Sequence, residues 1–73
     1  MAKETIKDFS NRIIGYIETD AKGNKTARDF YNRILGYYDA KQNVTRDFYN
    51  RIVARGDAVA GLIYEEEAKK NKR

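Results

Sequence analysis

Residues 26–39 read TARDFYNRILGYYD, and the core of this stretch occurs three times in a chain of 73 residues. The two related stretches are TIKDFSNRIIGYIETD at residues 5–20 and TRDFYNRIVARG at residues 45–56. Each repeat has an Asp followed by Phe, with Asn, Arg and Ile three, four and five positions after the Asp. Such an internal repeat indicates one supersecondary unit that is used several times.

The residues that follow each repeated Asp have the chemistry of a tight turn. Asp at the first position of a type I turn accepts hydrogen bonds from backbone amides of the turn, and Asn three positions later tolerates positive φ. This combination is typical of a three-residue hairpin loop with a bulge. Two further turn signals lie at residues 20–23 (DAKG) and 39–43 (DAKQN), and the intervening segments are rich in β-branched and aromatic residues. The sequence therefore predicts a mainly β fold, a meander of short hairpins.

A small all-α bundle of three helices is the alternative. Thr26 and Asp29 resemble the ends of a capping box, and Ile34 and Tyr38 follow at helical spacing. Against this reading, Gly36 and its counterpart in the first repeat would lie inside helices, at a cost of about 1 kcal/mol each relative to Ala. The regular turn signals favour the β fold.

The repeated Asp and Arg are interpreted as structural pairs. In the hairpin loop, the residue four positions after the Asp lies opposite it. Opposite charges that face each other across two strands stabilise a sheet by roughly 0.2–1 kcal/mol. We therefore expect turn and cross-strand pairs without a catalytic role: Asp8 with Arg12, Asp29 with Arg33, and Asp47 with Arg51.

The strand segments are apolar on both faces if side chains alternate strictly. Ile13, Gly15 and Ile17 would then share one face, and Ile14 and Tyr16 the other. A single small sheet cannot cover both faces. Either the repeats curl around a common axis, or a partner covers one face.

Five aromatic residues lie on the predicted turns, where an isolated monomer would leave them in water. Equivalent exposed aromatic residues at several loops suggest contacts between repeats or between subunits. The candidate interaction surface consists of Phe9, Phe30, Tyr31, Phe48 and Tyr49.

Composition narrows the functional classes. A chain of 73 residues is one domain, residues 1–73, with a modest core. It contains no Cys and no His, so we expect no disulfide, no metal site and no cofactor, and a non-enzymatic protein. Self-association is the support that remains for so small a domain, which predicts a homo-oligomer. With no apolar run of membrane-spanning length and no signal peptide pattern, the expected location is the cytoplasm.

The net charge of +4 raises a second functional hypothesis. Basic and aromatic residues that alternate on a small sheet can bind single-stranded nucleic acid through phosphate contacts and base stacking. A solvated strand face is the simpler reading, and self-association remains the first hypothesis. The candidate contacts are Lys7, Arg28 and Arg46, which occupy equivalent positions beside the turns, together with Tyr16 and Tyr37.

The last part of the chain departs from the repeat. Asp57 can cap a helix after Gly56, with Val59, Leu62 and Ile63 on its inner face. The following EEEAKK contains good helix formers. The segment 57–70 is therefore predicted as a short C-terminal helix, with a final strand as the alternative.

The repeat resembles a known type of small bacterial protein. The stretches RDFYNRILGYYD and NVTRDFYNRIVARGD are similar to the short D-x-x-G-R-I-x-G-Y hairpin repeats of β-flower proteins, and to those of RHS and YD-repeat proteins. The resemblance covers residues 5 to about 64 and implies a pseudo-symmetric β fold without catalytic residues. Asn11, Asn32 and Asn50 stand where those repeats usually have Gly, and Asn also accepts positive φ.

Overall fold

The computed structural model describes residues 2–71. It contains six strands and one helix, and the end of the basic tail, residues 72–73, lies outside the described residues. The elements are β1 (Ala2–Lys7), β2 (Ile13–Thr19), β3 (Lys25–Asp29), β4 (Ile34–Asp39), β5 (Val44–Asp47), β6 (Ile52–Arg55) and α1 (Val59–Asn71). Within the described residues, no helix is long and apolar enough to cross a membrane.

The strands form one antiparallel sheet in sequence order, β1 to β6. This meander and the C-terminal helix confirm the predicted fold class and replace the three-helix alternative. The turn chemistry explains why the β fold forms: Asn11, Asn32 and Asn50 have φ of 68°, 70° and 68°. A left-handed residue at this position lets a three-residue loop connect two twisted strands.

A bulge near the start of each second strand decides which side chains enter the core. Ile6 pairs with Gly15 while Lys7 pairs with Ile13, so Ile14 is the extra residue between the two pairs. Ile14 is buried in the same cluster as Ile6 and Ile17. Strict alternation predicts that Ile14 lies on the other face from Ile17; this prediction is wrong, because the bulge turns the side chain of Ile14 inward. Leu35 and Val53 are the extra residues at the equivalent positions of β4 and β6.

Helix α1 packs in a furrow of small residues across the middle of the sheet. Ala27 pairs with Gly36 on its neighbouring strand and is fully buried. A Cβ on Gly15 would lie 2.7 Å from Ile63 Cγ2, and one on Gly36 would lie 2.5 Å from Leu62 Cδ1. The two glycines therefore allow the helix to approach the sheet closely. This close approach lets Val59 of α1 be buried in the hydrophobic core beneath the helix.

The start of α1 is attached to β5 by a buried hydroxyl. Thr45 Oγ1 accepts a hydrogen bond from Ala58 N at 2.9 Å and donates one to Gly56 O at 2.7 Å. Asp57 Oδ1 accepts a long hydrogen bond, 3.4 Å, from Val59 N, and Asp57 Oδ2 accepts one from Lys25 Nζ of β3, with which it forms an ion pair. The helix therefore begins at a position that two strands determine.

The helix covers only part of the sheet. It packs on β2, β3 and β4. The last strand is largely exposed: the side chain of Val53 is 52% exposed even though the bulge turns it toward the helix-bearing face. Helix α1 thus covers one half of this face of the sheet, and the other half is exposed to solvent.

Candidate functional site

The three repeated turns share one hydrogen-bond pattern. In the second repeat, Asp29 Oδ1 accepts from Arg33 N at 2.9 Å, and Asp29 Oδ2 accepts from Arg33 Nε at 2.9 Å. In the third repeat, Asp47 receives the same two bonds from Arg51, each at 2.9 Å. Asp8 and Arg12 make them at 3.0 and 3.1 Å. Each Asp carboxylate thus stabilises the backbone of its turn and fixes the position of the Arg guanidinium group opposite it.

These bonds change the protonation of the turn carboxylates. The backbone amide of Arg12, followed by its guanidinium group, lowers the pKa of Asp8 despite partial desolvation. The amide and guanidinium groups of Arg51 lower the pKa of Asp47 in the same way. At Asp20, desolvation opposes the shift, but the amides of Asn24 and Lys22 lower the pKa.

Acid should therefore destabilise the protein through its turns. Because the pKa values of Asp8, Asp20 and Asp47 are lower in the folded state, the unfolded state binds more protons as the pH falls. The contribution is complete well above the ordinary Asp pKa of about 3.9 and is lost as the pH falls through the folded values. Urea unfolding across that range should show decreasing stability toward acid. The variant Asp8→Asn/Asp47→Asn should show a weaker pH dependence, and an unchanged dependence would contradict the assignment.

The aromatic residues of the second and third turns form matching clusters. Phe30 and Tyr31 pack edge to face, with ring centroids 5.4 Å apart, and Phe48 and Tyr49 do so at 5.5 Å. The paired arginine lies over each tyrosine ring, with Arg51 Cζ 5.4 Å from the Tyr49 centroid. The cluster is absent from the first turn because Ser10 replaces the tyrosine there. The turn geometry therefore orients two aromatic pairs.

All three repeated turns lie at the same end of the sheet, because alternate turns of a meander lie at the same end. Their aromatic side chains are exposed, and Phe9 is as accessible as in an extended chain, at 103%. Adjacent strands lie about 4.8 Å apart, so equivalent turns follow one another at about 10 Å. We call this row of residues the aromatic rim; it contains Phe9, Phe30, Tyr31, Phe48 and Tyr49.

An open groove of about 1080 Å³ lies between α1 and the β5–β6 half of the sheet. Its floor is apolar, formed by Leu35, Val53 and Ala54, with Leu62 on the helix side. Phe48 and Tyr49 of the aromatic rim close one end, so the two surfaces are continuous. We call this feature the open groove.

The walls of the open groove carry opposite charges. Glu65 and Glu66 line the helix wall. Arg33 and Arg51 line the rim end, and their side chains are 66% and 73% exposed. Lys69 also lines the helix wall, and Asp47 the rim end, so groups of both signs flank one apolar floor.

The other face of the sheet, opposite α1, holds the remaining predicted residues. Tyr16 pairs directly with Arg28, and Tyr37 pairs directly with Arg46, so each tyrosine adjoins an arginine on the same face. Lys7 lies on this face beside Ile13, at the end near the first turn. We call it the helix-free face.

Two features of the site could not be predicted from the repeat itself. The open groove depends on the position of α1 over the sheet, and the hydroxyl of Thr45 gains its role only from its contact with the start of α1.

Among the described residues, no three acidic side chains lie close enough together to hold a metal ion.

No family model, curated protein or solved structure matches the chain. The resemblance to hairpin-repeat proteins therefore stays a prediction. The surfaces of this chain are what indicate its function.

Proposed function

We propose that this chain is a small non-enzymatic interaction protein that self-associates through its open groove. The observation that carries the proposal is the incomplete helix layer. Helix α1 packs on β2–β4 and leaves Val53 of the groove floor 52% exposed, while Leu35 and Ala54 are half-buried. Burying apolar surface stabilises by about 25 cal/mol per Å², so covering this floor favours association.

The charges of the open groove favour a second copy as its occupant. A two-fold axis through the groove would bring Glu65 and Glu66 of one copy against Arg33 and Arg51 of the other. Each of these arginines already has an aspartate partner in its own turn, so the contact adds a second carboxylate to an exposed guanidinium group. In a two-fold dimer the same patch occurs on both subunits and must complement itself. A surface that carries both signs on either side of an apolar floor meets this requirement.

The proposed setting is the bacterial cytoplasm. Small domains of oxidising compartments usually rely on disulfides, and this chain has no Cys. The bacterial source is proposed from the resemblance to hairpin repeats alone.

Two lysine substitutions on adjacent residues of β6 test the proposal. Val53→Lys places a charge on the floor of the open groove and should weaken self-association at least tenfold, by the 1.4 kcal/mol that a tenfold change represents. Ile52→Lys is the matched control, because Ile52 is equally exposed, at 55%, but lies on the helix-free face. Molar mass would be measured by light scattering during gel filtration. Equal loss of the dimer in both variants, or in neither, would contradict association through the groove.

A further inference from the structure

We propose that the helix-free face binds single-stranded nucleic acid, with Tyr16 and Tyr37 as stacking platforms and Arg46 as the main phosphate contact. Tyr16, Tyr37 and Arg46 lie on the side of the sheet opposite the open groove and are not among the described residues that line it. Arg28 borders the open groove as well. The register of the strands supports the proposal, because it places the side chains of this face in two cross-strand rows. One row contains Thr5, Tyr16, Arg28 and Ile34. The other contains Lys3, Glu18, Thr26, Tyr37, Arg46 and Ile52.

The two tyrosines have a spacing that suits separate bases. Tyr16 lies on β2 and Tyr37 on β4, and their rows are offset by the two residues from Thr26 to Arg28. Two strand spacings and one two-residue step place the tyrosines about 12 Å apart. Both side chains are partly exposed. The two rings are thus far enough apart to stack with different bases, and stacking is available to every base because each has an aromatic face. At Tyr16 the base would take the place of Lys3 Nζ, which lies over this ring.

The two arginines are held in place by the turns. Arg28 Nη1 donates to Asn32 O at 3.1 Å, and Arg46 Nη1 donates to Asn50 O at 3.2 Å. In each case the acceptor is the carbonyl of the left-handed Asn in the adjoining turn. The hairpin repeat thus sets a guanidinium group beside each tyrosine platform.

The two arginines differ in their second hydrogen-bond partner, and therefore in how far their charge is compensated. Arg28 Nε forms an ion pair with Glu18 Oε1 at 2.9 Å, so its charge is compensated. Arg46 Nη2 donates to the neutral Gln42 Oε1 at 2.8 Å and keeps its full charge. Arg46 should therefore contribute more to the binding of phosphate than Arg28 does.

Strand β1 adds two lysines to this face. Lys3 Nζ lies 4.6 Å from the centroid of the Tyr16 ring, and Lys7 is exposed beside the first turn. Cations that alternate with aromatic rings match the alternating phosphates and bases of a single strand. An anionic lipid surface attracts the cations, whereas stacking of separate rings on separate bases is specific to nucleic acid. The pattern therefore favours nucleic acid.

The first test measures the charge contacts. A fluorescently labelled oligothymidylate should bind at low salt, with an affinity that falls as the salt concentration rises. Lys3, Lys7 and Arg46 as uncompensated cations predict a slope of about −2 in a plot of log affinity against log salt. Arg46→Gln should reduce this slope by about 0.7. Lys69→Gln removes one positive charge from α1 and should leave binding of the oligonucleotide unchanged.

The second test measures stacking. Tyr16→Leu and Tyr37→Leu should each weaken binding about five- to a hundredfold. Tyr64→Leu is the control, because Tyr64 is exposed on α1 away from this face. The chain has six Tyr and no Trp, so quenching of tyrosine fluorescence by the oligonucleotide reports stacking in the unmodified protein, even if a variant fails to fold. No quenching would contradict the stacking role.

Two competitors without bases decide between nucleic acid and a general anionic partner. Heparin and vesicles that contain phosphatidylserine offer negative charge but nothing to stack. They should bind more weakly than the oligonucleotide, and the tyrosine substitutions should weaken their binding less than they weaken binding of the oligonucleotide. The proposal would be overturned if the oligonucleotide does not bind at low salt, or if either competitor binds as tightly and depends equally on Tyr16 and Tyr37.

Discussion

Gly36→Val should lower the melting temperature by roughly 10–20 °C. A Cβ at this position would lie 2.4 Å from Arg46 O and 2.5 Å from Leu62 Cδ1. The first neighbour is backbone and the second belongs to the helix, so strand β5 or α1 must move. Overpacking of this kind costs about 1–3 kcal/mol, and the larger value applies where two elements resist. Each kcal/mol lowers the melting temperature of a domain this small by about 4–8 °C.

Gly61→Ala is the control for this prediction. Gly61 lies within α1, and a Cβ there has no heavy atom within 4 Å. Because Ala is the better helix former, this change should stabilise the protein by up to about 1 kcal/mol. Thermal unfolding followed by circular dichroism compares the two variants. A Gly36→Val variant as stable as the unmodified protein would show that α1 does not lie in the furrow. The third repeat has Ala54 at the equivalent position, in the half of the sheet that α1 leaves open.

Thr45→Val should destabilise the protein by about 2–3 kcal/mol although it hardly changes the volume of the side chain. Thr45 is 0% exposed, and its hydroxyl serves both Ala58 N and Gly56 O at the start of α1. Valine leaves this donor and this acceptor without their partner in a partly buried place, and each unpaired group costs roughly 1–3 kcal/mol of stability when it is fully shielded from water. The helix should loosen first, since both groups belong to the segment that leads into it.

Two companions make the Thr45 experiment specific. Thr45→Ser keeps the hydroxyl and should recover most of the lost stability. Thr26→Val changes the same chemical group on the helix-free face and should shift stability by less than about 0.5 kcal/mol. Urea unfolding gives the free energies, and hydrogen exchange of the α1 amides locates the loss. If Thr45→Val and Thr26→Val have equal effects, the hydroxyl does not anchor the helix.

The hairpins could be predicted because their cause is local. Asp and Asn three residues apart determine the turn, and both lie within one short stretch of sequence, as at Asp29 and Asn32. The aromatic side chains on those turns follow from the same local argument. The mainly β fold, with its C-terminal helix, was therefore accessible from the sequence alone.

The arrangement of the faces could not be predicted in the same way. Ile13 and Ile14 are identical in type, and nothing local indicates which of them is the extra residue of the bulge. The burial of Ile14 in the core cluster that also contains Ile63 of α1 decides it, and this cluster joins residues far apart in sequence. The role of Thr45 and the position of the open groove depend on the same helix, so neither follows from the repeat.

The mass of the unmodified protein in solution decides whether the chain self-associates through the open groove. Sedimentation velocity would be recorded on the untagged chain from low micromolar to millimolar concentration. Self-association through the open groove predicts a shift with concentration from the chain mass of 8.5 kDa to twice that value, without larger species. A mass that stays at the single chain throughout would contradict it, and the half-covered sheet would then have to be explained as a stable surface of a monomer.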